Sequence, residues 1–252
     1  MIDDFMDILS KMVDVELVLQ DFGIGVRYAY CAVKGKEVSV GLSYVLWEDL
    51  SMVGVAKKPS LRNIKKLAAS TNMLDRVMCI AFANALSQYL IWVKGEVGCL
   101  IKEQNFIDFV ARKIKRGDKI VVIGNMIPLV EKLKKVAKKV YVFERNPILR
   151  AFGANSDCFE YRYLEECDVL IASGSILVND MVDPIVRFTS GARARYVVGP
   201  TAQLHPDILT NFFDAVGSTR VVDIDKAIEV VKLGGGRKEL EKVCRDYVAI
   251  KE

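Results

Sequence analysis

The strongest constraint on the fold of this chain is a run of short apolar segments that alternate with helical patterns after residue 117. Four such segments, KIVVIGN (119–125), KVYVFERN (139–146), CDVLIASG (167–174) and ARYVVGPTA (194–202), are largely apolar. Segments of this kind are typical of parallel strands that helices cover on both faces. Helical patterns at 128–137 and near 180–188 supply the connections. The sequence therefore predicts a Rossmann-like domain with a mainly parallel sheet.

The N-terminal part of the chain carries a different pattern. We predict an amphipathic helix over 3–15 and then two β-rich runs, 23–33 and 37–46, which a glycine-containing connection joins into an antiparallel hairpin or meander. The segment 73–92 is apolar on nearly all sides, which is typical of a buried helix, and Asn84 is a polar exception within it. The fold class is α/β, with a small α+β domain over 1–100 and the Rossmann-like domain over 101–252.

The C-terminal tail has weaker signals. It predicts a short strand at 219–224, a helix at 225–233 and a second helix at 238–247.

Composition argues against several functional classes. The 36 Lys and Arg residues exceed the 32 Asp and Glu residues by only four, without a clustered basic face, so we expect no nucleic-acid partner. The acidic start MIDDF is unlike a signal peptide, and no apolar run reaches about 18 residues, which favours a cytoplasmic protein without membrane insertion. The six cysteines have no zinc-site spacing and are typical of buried reduced thiols. Homo-oligomerisation is left open.

The ends of the predicted parallel strands are the natural place for a small-molecule site. Helix N-termini and unpaired backbone N–H groups meet at this edge of such a sheet. Polar residues or glycine follow each strand, and the candidate ligand-binding residues there are Gly124, Asn125, Glu144, Asn146, Ser175, Asn179, Gly199, Pro200 and Thr201.

The first strand-end loop bears on the cofactor. It has only Gly124 where a dinucleotide site has G-x-G-x-x-G, so NAD or FAD is not expected. Glu144 lies about 20 residues later, where Rossmann proteins place an acid on a ribose hydroxyl, and this spacing also suits an S-adenosylmethionine-dependent transferase. The alternative is that Glu144 is a solvated strand-end acid paired with Arg145 or a lysine.

Two further features have a functional and a purely structural interpretation. His205, the single histidine, lies in a loop between two prolines and is either a general base, a single metal ligand or an incidental residue. The glycine run at 234–236 is interpreted as a helix C-cap and turn. The alternative is a phosphate-binding loop of an enzyme acting on a phosphorylated metabolite, although no Lys-Ser/Thr pair follows it.

Several spaced motifs together resemble one known family. CIAFANAL (79–86), ASGSILVND (172–180), GPTAQLHPDIL (199–209) and VVDIDKAIEVVKLGGG (221–236) are similar to motifs of the proteins described as "putative heavy-metal chelation", over about residues 7–248. In that family an enolase-N-terminal-like domain precedes a Rossmann-like domain. The family's usual Thr is Ile176 here.

The resemblance implies that the functional site is a cleft between the two domains, which takes a heavy metal or a metal-bearing small molecule, with a link to metal uptake or corrinoid synthesis. Carried over by motif, Asn84 joins the strand-end residues Glu144, Ser175, Asn179, Gly199, Pro200 and Thr201 in lining that cleft.

The chemistry of these residues qualifies that implication. Tight soft-metal sites use thiolates or several imidazoles, whereas these loops supply amides, hydroxyls and one carboxylate. The leading hypothesis is that the metal arrives inside an organic chelate, held by Asn, Ser and backbone N–H groups. The alternative is a transferase using S-adenosylmethionine, or another small-molecule enzyme, and no catalytic residue is assigned.

Overall fold

The computed structural model describes residues 1–50 and 54–251 and contains two β-sheets. The N-terminal part begins with helix α1 (Ile2–Met12) and continues into a 3-stranded antiparallel sheet of order β1-β2-β3. Its further elements are β1 (Val18–Ile24), β2 (Tyr28–Lys34), β3 (Val38–Tyr44), a 3-10 turn (Trp47–Asp49), α2 (Ile64–Ala68) and α3 (Met73–Tyr89), which continues as a π-helical turn (Leu90–Lys94).

The second sheet has 8 strands in the order β4-β11-β10-β9-β8-β5-β6-β7. The strands from β10 to β7 are parallel, whereas β11 runs antiparallel to both β10 and β4. The strands are β4 (Leu100–Lys102), β5 (Lys119–Ile123), β6 (Lys139–Glu144), β7 (Asn155–Ser156), β8 (Val169–Ser173), β9 (Ala194–Val198), β10 (Ala215–Val221) and β11 (Cys244–Ile250). The predicted α/β class, with a small antiparallel sheet beside a mainly parallel one, is confirmed.

Helices connect the strands of the large sheet. They are α4 (Phe106–Ala111), α5 (Ile127–Val136), α6 (Pro147–Arg150), α7 (Tyr161–Leu164), α8 (Val182–Phe188), α9 (Pro206–Leu209), α10 (Ile224–Lys232) and α11 (Arg237–Leu240), with 3-10 turns at Asp157–Phe159 and Gly174–Leu177. Asn105 and Asn146 cap α4 and α6 with their side chains, because each amide oxygen accepts hydrogen bonds from two backbone N–H groups of the first turn.

The small sheet is covered on both faces. Along β2, Ala29, Cys31 and Val33 pack in the same apolar cluster as α3, while Tyr28, Tyr30 and Ala32 pack with α10 and α11. This alternation follows from the two-residue period of a strand. It explains why every residue of β2 except Lys34 is buried.

Helix α3 lies at the centre of the N-terminal part, as its all-round apolarity predicts. It contacts β3 so closely that a Cβ atom at Gly41 would lie 2.1 Å from the backbone nitrogen of Ala85. Among the described residues, Met73–Lys94 is the one helical segment long and apolar enough to cross a membrane, which corrects the expectation that none exists. Most of this segment is buried within the protein, as expected of a core helix.

The structure corrects the prediction for the C-terminal tail. The predicted helix at 238–247 is wrong, since α11 ends at Leu240 and β11 follows from Cys244. β11 pairs with β10 from Ala215 to Val221, so β10 also begins earlier than predicted. The strand conformation of β11 depends on its pairing with β10, which lies more than 20 residues earlier in the chain. A local sequence pattern does not contain this information. The sequence also missed β1, β4 and β7, which are short or half exposed.

Candidate functional site

A cavity of about 1080 Å³ lies at the carboxyl ends of the parallel strands. The loops after β5, β6, β8 and β9 line it, as predicted from the common edge at which the parallel strands end. Arg27, Tyr44 and Glu48 line it from the region of the small sheet, and the connection between α10 and α11 adds the glycines at 234–236 and Arg237. The cavity is therefore bounded by both sheets.

The structure brings most of the predicted site residues together. Seven of them line the cavity: Gly124, Asn125, Glu144, Ser175, Asn179, Gly199 and Pro200. Four others do not line it: Asn84, Asn146, Thr201 and His205, all of which are buried.

Glu144 holds the first two strand-end loops together. Its Oε2 accepts the backbone N–H of Asn125 at 2.7 Å and its Oε1 accepts that of Asn146 at 2.8 Å. Arg145, the partner proposed for Glu144, instead forms an ion pair with Asp49 at 2.9 Å. Gly124 has φ of +92°, a left-handed conformation that favours glycine, and it starts the turn that allows this arrangement.

The loop after β8 presents two polar side chains to the cavity. Ser175 donates a hydrogen bond from Oγ to Ser173 Oγ at 3.2 Å, and Asn179 Oδ1 accepts the N–H of Met181 at 3.3 Å. The Asn179 amide nitrogen keeps no hydrogen bond to any residue in the described ranges, so it remains a donor for a ligand. Ile176, which replaces the family's Thr, is 1% exposed and packs in the core.

Asn84 belongs to the core and not to the cavity. Its side-chain nitrogen donates to the carbonyl oxygens of Leu42 at 2.6 Å and Thr201 at 2.8 Å. The residue is fully buried, so the polar exception in α3 is explained by backbone groups that need a donor. Asn84 therefore connects three segments: α3, β3 and the loop after β9.

Side chains of the loop after β9 form hydrogen bonds with the backbone of β3 at its unpaired edge. Thr201 Oγ1 accepts the N–H of Tyr44 at 2.9 Å, and Gln203 Oε1 accepts the N–H of Leu42 at 2.6 Å. Gln203 also donates to the carbonyl of Thr219 at 2.7 Å. Gln203 lies within the motif GPTAQLHPDIL, but its role at β3 was not predicted. No local sequence pattern indicates that the Gln203 side chain is buried against the backbone groups of Leu42 and Thr219.

His205 is likewise internal. Its Nε2 lies 2.8 Å from the carbonyl oxygen of Glu96, and Nδ1 has no hydrogen-bond partner within the part of the chain that the structure describes. Burial lowers the pKa of the imidazole, so it is neutral at physiological pH. This environment favours the structural interpretation of the residue.

Besides Arg145, nine Asp, Glu, Lys and Arg side chains that were not predicted as site residues line the cavity: Arg27, Glu48, Asp157, Glu160, Arg237, Lys238, Glu239, Glu241 and Asp246. Arg27 is exposed and makes no ion pair with a described carboxylate, whereas Arg237 binds Asp246 through two contacts of 2.6 and 2.8 Å. Glu160 is only 2% exposed, and its burial raises the pKa of the carboxyl to about 7. These residues lie outside any motif, and the tertiary structure alone brings them to the strand ends.

The donor atoms do not fit a directly bound heavy metal. Within residues 1–50 and 54–251, no group of three or more His, Cys, Asp and Glu side chains is placed to hold a metal ion. No cysteine or histidine lines the cavity among these residues. The thiols of Cys31, Cys79, Cys167 and Cys244 are buried, and desolvation raises their pKa values, which disfavours the thiolate form that metals bind.

The fold and the cavity define a class of α/β protein with a large cavity at the strand ends of a mainly parallel sheet, against a second, antiparallel sheet. Within that class the chain belongs to the DUF364 family, whose description is "putative heavy-metal chelation" and whose model matches residues 105–250. The model of the DUF4213 family, with the same description, matches residues 6–87. The resemblance inferred from the motifs is confirmed.

Known relatives share the whole architecture. An uncharacterized protein of Methanocaldococcus jannaschii is 33% identical over 237 residues, which cover 90% of this chain and 88% of the relative. The crystal structure of a DUF364 protein of unknown function from Pyrococcus horikoshii has a TM-score of 0.86 and 31% identity and covers 99% of both chains. A DUF364 protein of unknown function from Desulfitobacterium hafniense has a TM-score of 0.78 at 16% identity, covers 98% of both chains and supports the fold alone.

Proposed function

We propose that the protein binds an organic complex of a heavy metal in the strand-end cavity, and that the organic part of the complex supplies the metal's ligands. The observation that carries this proposal is the mismatch between the family description and the cavity, which has no thiol or imidazole lining among the described residues. Soft metals need such ligands for tight direct binding. A chelate brings its own ligands and needs only hydrogen bonds and charge complementarity from the protein.

The size of the cavity supports an organic ligand. Sites for small molecules commonly enclose about 300–1,000 Å³. The cavity of about 1080 Å³ slightly exceeds that range and is much larger than a hydrated ion needs. Loops of β5, β6, β8 and β9 all reach it, so one ligand can contact several strand ends.

Arg27 and two neutral side chains offer contacts to an anionic chelate, within a lining that otherwise holds more carboxyl groups than cations. Arg27 has no competing ion pair with a described carboxylate, and the Asn179 amide and the Ser175 hydroxyl supply neutral hydrogen bonds. A guanidinium binds a carboxylate through two parallel hydrogen bonds, which suits the free carboxylates of a metal complex.

The proposal also covers the domain organisation, the cellular location and the biological role of the protein. We infer a domain over 1–100 and a second over 101–252, with the cavity as the cleft between them, in a cytoplasmic protein. The handling of metal complexes in metal uptake or corrinoid metabolism is the role that fits this site, and no catalytic residue is assigned.

Titration calorimetry tests the proposal. Nickel(II)–citrate serves as a small carboxylate chelate, dicyanocobinamide as a macrocyclic one and Ni²⁺ alone as the bare ion. Ser175→Trp fills the cavity, and Ser190→Trp adds the same side chain at an exposed site. Circular dichroism establishes that both variants are folded.

We expect at least one chelate to bind one per chain to the wild type and to Ser190→Trp, and to lose binding in folded Ser175→Trp. Bare Ni²⁺ should bind weakly or not at all. The proposal fails if Ni²⁺ binds as tightly as its complexes, if neither chelate gives heat at millimolar concentration, or if Ser175→Trp leaves binding unchanged. S-adenosylmethionine in the same assay tests the transferase alternative.

A further inference from the structure

Glu160 occupies an unusual position in the cavity. It lies just before α7, lines the cavity and is 2% exposed. Among the described residues its carboxyl accepts no hydrogen bond and forms no ion pair, whereas the two oxygens of Glu144 each accept a backbone N–H. Glu48, half-buried in the same lining, also has a pKa raised by burial and one buried oxygen without a partner among these residues. A buried carboxylate without donors is costly, so the neutral acid is the favoured form of Glu160.

The neighbours of Glu160 reinforce this preference. Asp157, in the preceding 3-10 turn, also lines the cavity and adds a like charge. Tyr161, the next residue, has a raised pKa and stays neutral. Arg162, two residues after Glu160, lies over the ring of Phe159. Arg145, at the adjacent strand end where Ser156 pairs with Glu144, is paired with Asp49.

We propose that Glu160 is a proton-carrying ligand contact, whose neutral carboxylic acid donates a hydrogen bond to a carboxylate of the bound chelate. This inference rests on the proposed function and adds a requirement, namely that the ligand presents an anionic oxygen at the β7 end of the cavity. Arg27, just before β2, and Glu160, just before α7, line the same cavity from the small-sheet and large-sheet sides, and we take them as two separate contacts for the bound chelate.

Binding of such a ligand is coupled to proton uptake. The pKa of Glu160 is about 7 before the ligand binds, so roughly half of the molecules carry the proton at pH 7. A carboxylate of the ligand, placed against the acid, disfavours the charged form further. Each binding event at pH 7 then takes up about half a proton from the buffer.

The first experiment needs no ligand. Carbon-13 NMR of glutamate-labelled protein should show, apart from Glu48, whose pKa burial also raises, one side-chain carboxyl that titrates near pH 7 in the wild type. It should be absent in Glu160→Gln and present in Glu165→Gln, which changes an exposed glutamate nearby in the chain. If every carboxyl titrates below pH 5, or if the signal persists in Glu160→Gln, the inference is overturned.

The second experiment is calorimetry with nickel(II)–citrate at pH 7 in two buffers of different ionisation enthalpy. We expect about half a proton taken up by the wild type and by Glu165→Gln, and none by Glu160→Gln. The glutamine of Glu160→Gln keeps a hydrogen-bond donor, so the affinity of this variant for nickel(II)–citrate should stay within about threefold of the wild type. Glu160→Ala removes the donor and should bind the chelate about tenfold more weakly than the wild type.

The outcomes separate the two proposals. Tight chelate binding without proton uptake, or with uptake that persists in Glu160→Gln, overturns the role of Glu160 and leaves the proposed function in place. Absence of binding by the wild type removes the function and the ligand contact together, while the NMR titration still reports the state of Glu160.

Discussion

The side-chain oxygen of Gln203 accepts the backbone N–H of Leu42 at 2.6 Å, so a loop of the large sheet satisfies the edge strand of the small one. An edge strand otherwise leaves a row of unpaired backbone groups. On the same edge of β3, Thr201 Oγ1 accepts the backbone N–H of Tyr44. The Asn84 side chain donates to the carbonyl oxygen of Leu42, which lies between these two N–H groups. Side chains thus replace a neighbouring strand at β3.

Gln203→Leu removes both hydrogen bonds of this side chain and leaves the Leu42 N–H and the Thr219 carbonyl without their partners. We expect the free energy of unfolding to fall by about 2–4 kcal/mol, because each buried unsatisfied group costs about 1–3 kcal/mol. Urea denaturation measures this. Gln20→Leu, at an exposed position of β1, is the matched control and should change stability by under about 1 kcal/mol.

Asn84→Ala tests the position of this residue in the core. The change leaves two buried carbonyls without a donor, so unfolding should become easier by about 2–4 kcal/mol while a folded sample keeps its affinity for the chelate. Thermal melts and calorimetry below the melting temperature measure the two effects. The opposite pattern, unchanged stability with lost binding, would place Asn84 in the binding site after all.

Glu160 should make the stability of the protein depend on pH. Burial raises its pKa from 4.5 to about 7, so the folded state binds more protons than the unfolded state between these values. Stability from this group is therefore present at low pH and is lost as pH rises from about 4.5 through 7, a loss on the order of 2–3 kcal/mol by pH 8.

Glu160→Gln cannot ionise and should escape that loss. Relative to wild type, the variant should gain stability between pH 5 and pH 8, whereas Glu165→Gln should run parallel to wild type. Denaturation at a series of pH values measures the difference. Equal pH dependence of wild type and Glu160→Gln would show that the carboxyl titrates normally.

Arg27 should contribute to affinity through charge. Arg27→Gln should weaken nickel(II)–citrate binding by about tenfold at low salt, since a charge-assisted hydrogen bond contributes about 1.5–3 kcal/mol and exposure reduces that value. Arg116→Gln, which changes an exposed arginine outside the cavity lining, is the control. The difference between the two variants should shrink as salt increases. A similar loss in both variants would indicate only a general charge effect.

The parallel strands and the central helix could be predicted because their signals are local. The continuous apolar runs mark β5, β6, β8 and β9, and the all-round apolarity of 73–92 marks α3. The helix predicted over 238–247 failed because β11 depends on its pairing with β10, which a local pattern does not contain.

The site shows the same division. Strand-end residues such as Asn125 and Ser175 could be predicted, since the topology brings every parallel strand end to one edge. Asn84 was placed correctly in a buried helix, but its role depends on which backbone groups lie nearby in three dimensions. Glu160 and Arg27 belong to no motif, and only the tertiary structure places both in the cavity lining. Among the described residues, no donor faces the Glu160 carboxyl and no carboxylate forms an ion pair with Arg27.

One apolar cluster runs without interruption from α1 and α3 to β8 and β9, and the polar groups at the edge of β3 lie beside it. Shared packing of this kind makes the two sheets a single cooperative unit, because neither can separate without exposing the core of the other. The walls of the cavity are then preformed and do not close around a ligand as a hinged clamshell does. For the proposed chelate, we therefore expect selection by the shape of a preformed opening and a small conformational cost of binding.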